Sequence, residues 1–138
     1  MSLQVWLPLT KDYSNHGVSG LSFDTYRYIR FNIYAIRGNG GDSYVQLSRL
    51  EFLDQNGNLY NYPSGTTIST NLTGYPASEP PQSIIDKNVN TKVCAPWGGY
   101  AHLTIDLGSS RINISKYSRF QYYTANDADW RDPVSFGL

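Results

Sequence analysis

Cysteine is all but missing from this chain of 138 residues: Cys94 stands alone, so no intrachain disulfide can form and no thiolate metal site can be assembled within one copy. Histidine is nearly as scarce. His16 and His102 are the only two, and neither lies in a recognisable nucleophile or metal motif. An excess of charge of one sign is absent too: eleven Lys plus Arg face eleven Asp plus Glu, which leaves no net field to draw in nucleic acid or anionic lipid. No apolar run is long enough to span a membrane, and the first nine residues show neither the basic n-region nor the apolar core of a signal peptide.

What the chain has in quantity is tyrosine and turn residues. Twelve Tyr, five Phe and three Trp, with twelve Gly and seven Pro, suit short strands joined by tight turns. Tyr28 to Arg37 alternates, with Ile29, Phe31, Ile33 and Ala35 on one face and Tyr28, Arg30, Asn32 and Tyr34 on the other, which predicts a strand. A second strand is expected from Tyr44 to Leu53. Its apolar phase changes from Val45 and Leu47 to Leu50 and Phe52, so one extra residue near Ser48 and Arg49 predicts a β-bulge. Asn56-Gly57 signals a hairpin turn after which Leu59 to Tyr62 is expected to pair back. Further strands are expected over Leu3 to Leu9, Thr66 to Thr70, His102 to Leu107, Arg119 to Thr124 and Val134 to Leu138. Glu79-Pro80-Pro81 opens the one helical turn, running through Ile85. The spacing of these elements predicts an all-β sandwich or barrel.

Three segments carry a resemblance. Ser83-Ile84-Ile85-Asp86-Lys87-Asn88-Val89-Asn90-Thr91-Lys92, Leu103-Thr104-Ile105-Asp106-Leu107-Gly108, and Tyr122 to Asp127 with Arg131 to Ser135 are together similar to the galactose-binding-like superfamily, which includes discoidin (coagulation-factor type C) domains and many carbohydrate-binding modules. The resemblance covers roughly residues 83–135 and implies a jelly-roll β-sandwich. Tyr28 to Phe31 and Val45 to Phe52 resemble strands that usually close such a domain but here come first, so the resemblance implies a circularly permuted order. An edge left open by that order is expected to pair with a partner chain or with residues 3–9. Leu3 to Leu9, with Asn15-His16-Gly17 and Leu21, resembles the opening of many phage tail and appendage proteins. Release by cell lysis within a virus particle would accord with the missing signal peptide.

Two kinds of site follow. Asp86, Asn88, Asn90 and Thr91 gather oxygen donors in one loop, where the family often binds calcium. Against calcium stand an Asx-turn reading of the same residues and Arg49, which falls where calcium-binding relatives place an acidic ligand. Trp97, Tyr100 and His102, with Trp130 from a second loop, are the candidate ligand-binding residues, because sugar sites need an aromatic platform beside hydroxyl-binding groups. Trp97 serves equally well as the displaced counterpart of the buried Trp that the resemblance implies, and Trp130 as partial burial over the sandwich end, the reading favoured for it. Arg131 is expected in an internal ion pair with a carboxylate. Asp127 and Asp132 are the carboxylates a glycosidase would need, but their spacing does not establish a catalytic pair, and an enzyme is not expected.

The expectation is therefore a non-enzymatic structural or decoration protein of a phage-like virion, in a head or tail appendage. Residues 1–24 form its attachment strand and loop and residues 25–138 an outward-facing discoidin-like sandwich. The expected partners are other virion proteins, further copies of the chain and cell-surface glycan, with no nucleic acid and no membrane insertion; the expected location is the virion, extracellular after release. No cofactor is expected beyond the calcium weighed above. The alternative is a carbohydrate-binding module that recognises surface glycans.

Overall fold

Alternation of apolar and polar residues governs where this chain folds. The structure, a computed structural model, describes residues 25–138 and the backbone of residues 4–8. In chain order the strands are β1 (Gln4–Pro8), β2 (Thr25–Tyr26), β3 (Tyr28–Ile36), β4 (Tyr44–Leu47), β5 (Arg49–Leu53), β6 (Thr67–Thr70), β7 (Val93–Pro96), β8 (Ala101–Asp106), β9 (Ile112–Asn113), β10 (Arg119–Tyr123) and β11 (Pro133–Gly137). Two short 3-10 turns, Pro81–Ile85 and Asp129–Arg131, are the helical content of the described residues. None is long or apolar enough to cross a membrane.

Every ladder is antiparallel. One sheet runs β11-β3-β8-β6; the other runs β1-β10-β5, and β4 pairs β7 while β2 pairs β9. The two larger sheets share one apolar core. Phe31 and Phe136 come from the first, Phe120 and Tyr122 from the second, and their rings meet with centroids 4.8 Å (Tyr122–Phe136) to 6.5 Å (Phe31–Phe120) apart. Phe31 is wholly buried, and truncating it to alanine is expected to cost ~3–5 kcal/mol. The chain is thus an all-β antiparallel sandwich.

The phase change in the second predicted strand is resolved at Ser48, where β4 ends and β5 begins, so that Val45, Leu47, Leu50 and Phe52 are all buried. Ser48 donates its amide to the Tyr123 carbonyl at 2.9 Å, tying the break to β10. Its hydroxyl lies 3.1 and 2.8 Å from the carbonyls of Val89 and Thr91, holding the 86–92 loop against the sheet.

Leu59 to Tyr62 does not form the expected returning strand. Among the described residues, one bridge, Leu59 to Leu53, and one backbone bond, from the Tyr60 amide to the Phe52 carbonyl at 2.8 Å, pair it. Tyr60 packs edge-on to Tyr62 and Tyr117, and the Tyr62 hydroxyl donates to the Leu50 carbonyl, so ring packing replaces the ladder. Strand β7 was not predicted because Val93, Cys94 and Ala95 are buried on both faces and show no alternation. Strand β1 pairs β10, from Gln4 opposite Tyr123 to Pro8 opposite Arg119, so the N-terminal strand is an end strand of the three-stranded sheet and does not adjoin β11. Strand β11 pairs β3. The loop expected after β1, including His16, lies outside the described residues.

Candidate functional site

The outward face of the four-stranded sheet is where the polar half of the alternation lies. Register places Arg30 opposite Thr104 and Asn32 opposite His102, with Ser69 and Thr104 paired on the far side of β8. Tyr34 and Tyr100 follow where the β3–β8 ladder ends and stack with centroids 6.0 Å apart and planes 25° from parallel. Both rings are exposed, and the Tyr100 hydroxyl donates to Asn32 Oδ1 at 2.8 Å. Tyr100 is thereby fixed at one face and at its tip.

The corner between β7 and β8 supplies the rest. Gly99, at φ 92°, takes a backbone conformation that glycine alone adopts without strain, and it turns the chain from one sheet to the other. Trp97 extends the β4–β7 pairing by donating its amide to the Ser43 carbonyl at 3.0 Å, and its half-buried indole rests on the core. Trp97 and Tyr100 line a cleft of about 330 Å³ together with Asn71, Thr73 and Pro96. Asn71 shapes this cleft by continuing the sheet where β6 stops: its side chain accepts from the His102 amide at 2.8 Å and donates to the Tyr100 carbonyl at 3.2 Å.

His102 stands next to Tyr100, ring centroids 6.1 Å apart. Its Nδ1 is buried with no hydrogen-bond partner among the described residues. Burial, and secondarily the Arg30 charge, lowers its pKa, so the ring is neutral at pH 7. Arg30 reaches across the strands to place Nε 2.9 Å from Thr104 Oγ1. One step along, Asp106 is occupied by Arg27 in a two-bond pair at 2.7 and 3.0 Å, and that contact holds the Asp106 carboxyl below its usual range.

Trp130, expected on the same platform, is held elsewhere. Its ring lies flat on Gly40, whose place would put a Cβ 1.8 Å from the indole, and Nε1 donates to Asp42 Oδ1 at 3.0 Å. Arg131 grips the same carboxylate with Nε and a terminal nitrogen, giving the internal ion pair expected of it. The Arg131 bonds, and then the indole bond, hold the Asp42 carboxyl below its ordinary range. Among the described residues no ring contact links Trp130 to Tyr100 or His102.

The Asp86 loop is built of Asx turns. Asp86 accepts from the Asn88 amide at 2.8 Å and the Thr91 hydroxyl at 2.6 Å, and Asn88 accepts from the Asn90 amide at 3.0 Å. A single carboxylate whose oxygens already serve the loop's own donors does not fit a divalent cation. Arg49 is paired with Glu51 and lies 4.7 Å over the Tyr123 ring.

Asp127 and Asp132 do not share a site facing solvent. Asp127 is exposed and paired with Lys92 at 2.8 Å, whereas Asp132 is buried. Burial pushes the Asp132 carboxyl up to about 6, against the opposing effect of Gln46. Gln46, itself wholly buried, donates to the carbonyls of Asp127 at 2.6 Å and Ala128 at 3.1 Å and approaches Asp132 Oδ1 at 3.3 Å. These bonds hold Ala128 in the left-handed region at φ 43°.

Sequence reasoning singled out Trp97, Tyr100 and His102, of which the first two line the cleft, and did not single out Tyr34, Arg30, Asn32 and Asn71. The first three of these were visible as the polar phase of β3, a face carrying tyrosines toward solvent. Asn71 gave no signal, because its role depends on where β6 stops. No family model matches the chain, and no curated protein does.

Proposed function

We propose that this chain is a non-enzymatic recognition module that binds glycan in the cleft between Trp97 and Tyr100. The observation that carries the reading is that Trp97 and Tyr100 line one cleft of about 330 Å³, with Asn71 and Thr73 among its other lining residues. Aromatic rings give the apolar face of a sugar a surface to stack on, and polar groups at the rim take its hydroxyls. Tyr34 stacks on Tyr100 and Asn32 accepts from its hydroxyl, so the ring is positioned before ligand arrives.

The wider assignment rests on the resemblances. A galactose-binding-like jelly roll, circularly permuted, accounts for the three motif segments and for a closing pair of strands that comes first. The likeness of residues 3–21 to phage appendage openings supports display on a phage-type particle, outside the cell after release, with other virion proteins and further copies of the chain as partners. Surface glycan is the ligand such a displayed module would meet. Calcium has no part in the reading, given the Asx turns of the Asp86 loop.

A glycan array probed with the full chain tests the binding reading. Specific binding is expected, lost in both Trp97→Ala and Tyr100→Ala and retained in Trp130→Ala. No response on the array, or loss confined to Trp130→Ala, overturns it. Mass spectrometry of purified particles from the producing phage tests the display reading: the chain is expected among the structural proteins, and its absence contradicts virion display.

A further inference from the structure

We infer that the sheet face beside the cleft selects an acidic saccharide, with Arg30 receiving the carboxylate. The inference rests on the glycan reading and adds the ligand's charge to it. Three observations carry it.

First, Arg30 is an uncompensated cation. It is exposed and forms no ion pair among the described residues, whereas Arg27, three residues earlier, has Asp106 fully engaged. The next carboxylate along β8 is therefore already neutralised, and Arg30 leaves a local positive charge on a face otherwise made of hydroxyls, amides and rings.

Second, Arg30 is held in place. Its Nε bond to Thr104 Oγ1 lays the guanidinium across β8, one ladder row from His102 and two from Tyr100. Rows on one face of a strand repeat every ~6.8 Å. A ligand of two to three sugar units stacked in the cleft therefore reaches the guanidinium with a carboxylate on a ring beyond the stacked one.

Third, the row between them suits a sugar. Asn32 accepts the Tyr100 hydroxyl through its side-chain carbonyl, which keeps its amide group as a donor. His102 is neutral at pH 7, with Arg30 among the causes. Donors and one fixed guanidinium make an electropositive strip that complements a carboxylate-bearing chain.

The test uses the full chain and paired probes: oligogalacturonate, alginate oligosaccharide and oligosialate, each titrated calorimetrically beside its carboxyl-reduced neutral form. At least one acidic probe is expected to bind about tenfold more tightly than its neutral form, as one charge-assisted contact allows. Arg30→Gln should erase that difference with an unchanged thermal midpoint, and Tyr100→Ala should abolish binding of both forms. Equal binding of acidic and neutral forms, or a preference that survives Arg30→Gln, overturns the acidic assignment and leaves the glycan reading standing. No binding of any probe in either form overturns the acidic assignment, whereas the glycan reading falls only with a silent array.

Discussion

Replacing Gly40 with alanine tests how the 126–132 loop is seated. Gly40 does not lie in the left-handed region, so the backbone itself accepts a side chain. What does not accept it is Trp130: the added methyl would sit 1.8 Å from Cδ2, 2.0 Å from Cγ and 2.2 Å from Cε2, all ring atoms with no freedom to bend aside. The indole must leave its place, and with it goes the Nε1 bond to Asp42. Overpacking of this kind costs ~1–3 kcal/mol, and the lost hydrogen bond adds ~1 kcal/mol. Urea unfolding followed by far-ultraviolet circular dichroism should show a loss of ~2–4 kcal/mol. In a Trp130→Ala background no ring meets the methyl, and the same substitution should cost less than ~0.5 kcal/mol. A cost for Gly40→Ala that is equal in both backgrounds would refute the stacking of Trp130 on Gly40, and so its exclusion from the ligand platform.

Asp132 should give stability an unusual pH dependence. Its folded pKa, about 6, lies above the ordinary 3.8, so the folded state holds the proton more tightly; that contribution is complete below about pH 4 and is lost as pH rises to about 6. Wild type should therefore lose on the order of 3 kcal/mol relative to Asp132→Asn across that window, and parallel profiles for the two proteins would refute it. Gln46→Leu removes the donor that serves the Asp127 and Ala128 carbonyls, and should cost ~2–4 kcal/mol with faster amide exchange at residues 130–132. Tyr34→Ala removes the ring behind Tyr100, and should weaken any glycan that Tyr100→Ala abolishes by a few fold in the same titration.

The fold was readable where one strand face is buried and the other wet. β3 shows this best: its apolar phase gave Phe31 and Ile33 to the core; in the next segment the phase change at Ser48 was legible, but in place of the expected bulge the chain breaks there into β4, which pairs β7, and β5, which pairs β10. β7 was unreadable because short strands buried on both faces carry no period, and Val93-Cys94-Ala95 also spends its residues on small side chains. Leu59 to Tyr62 misled because Asn-Gly signals a reversal but does not say how far pairing continues past it. Within the candidate site, Trp97 and Tyr100 were legible as an aromatic loop. Trp130 looked equivalent in sequence, and only its contact with Gly40, ninety residues away, separates it from them. The oxygen-rich Asp86 loop likewise reads as a metal site or as Asx turns until the direction of each oxygen is known.

The tryptophan indole N–H signals in a proton–nitrogen correlation spectrum test the central claim most directly. Trp97 lines the cleft, while Trp130 has its N–H committed to Asp42. On titration with a glycan that the array identifies, the Trp97 indole signal and the amides of residues 71–73 and 98–102 should shift together while the Trp130 indole signal stays in place. Shifts at Trp130 and residues 126–132 with Trp97 unmoved would contradict the account.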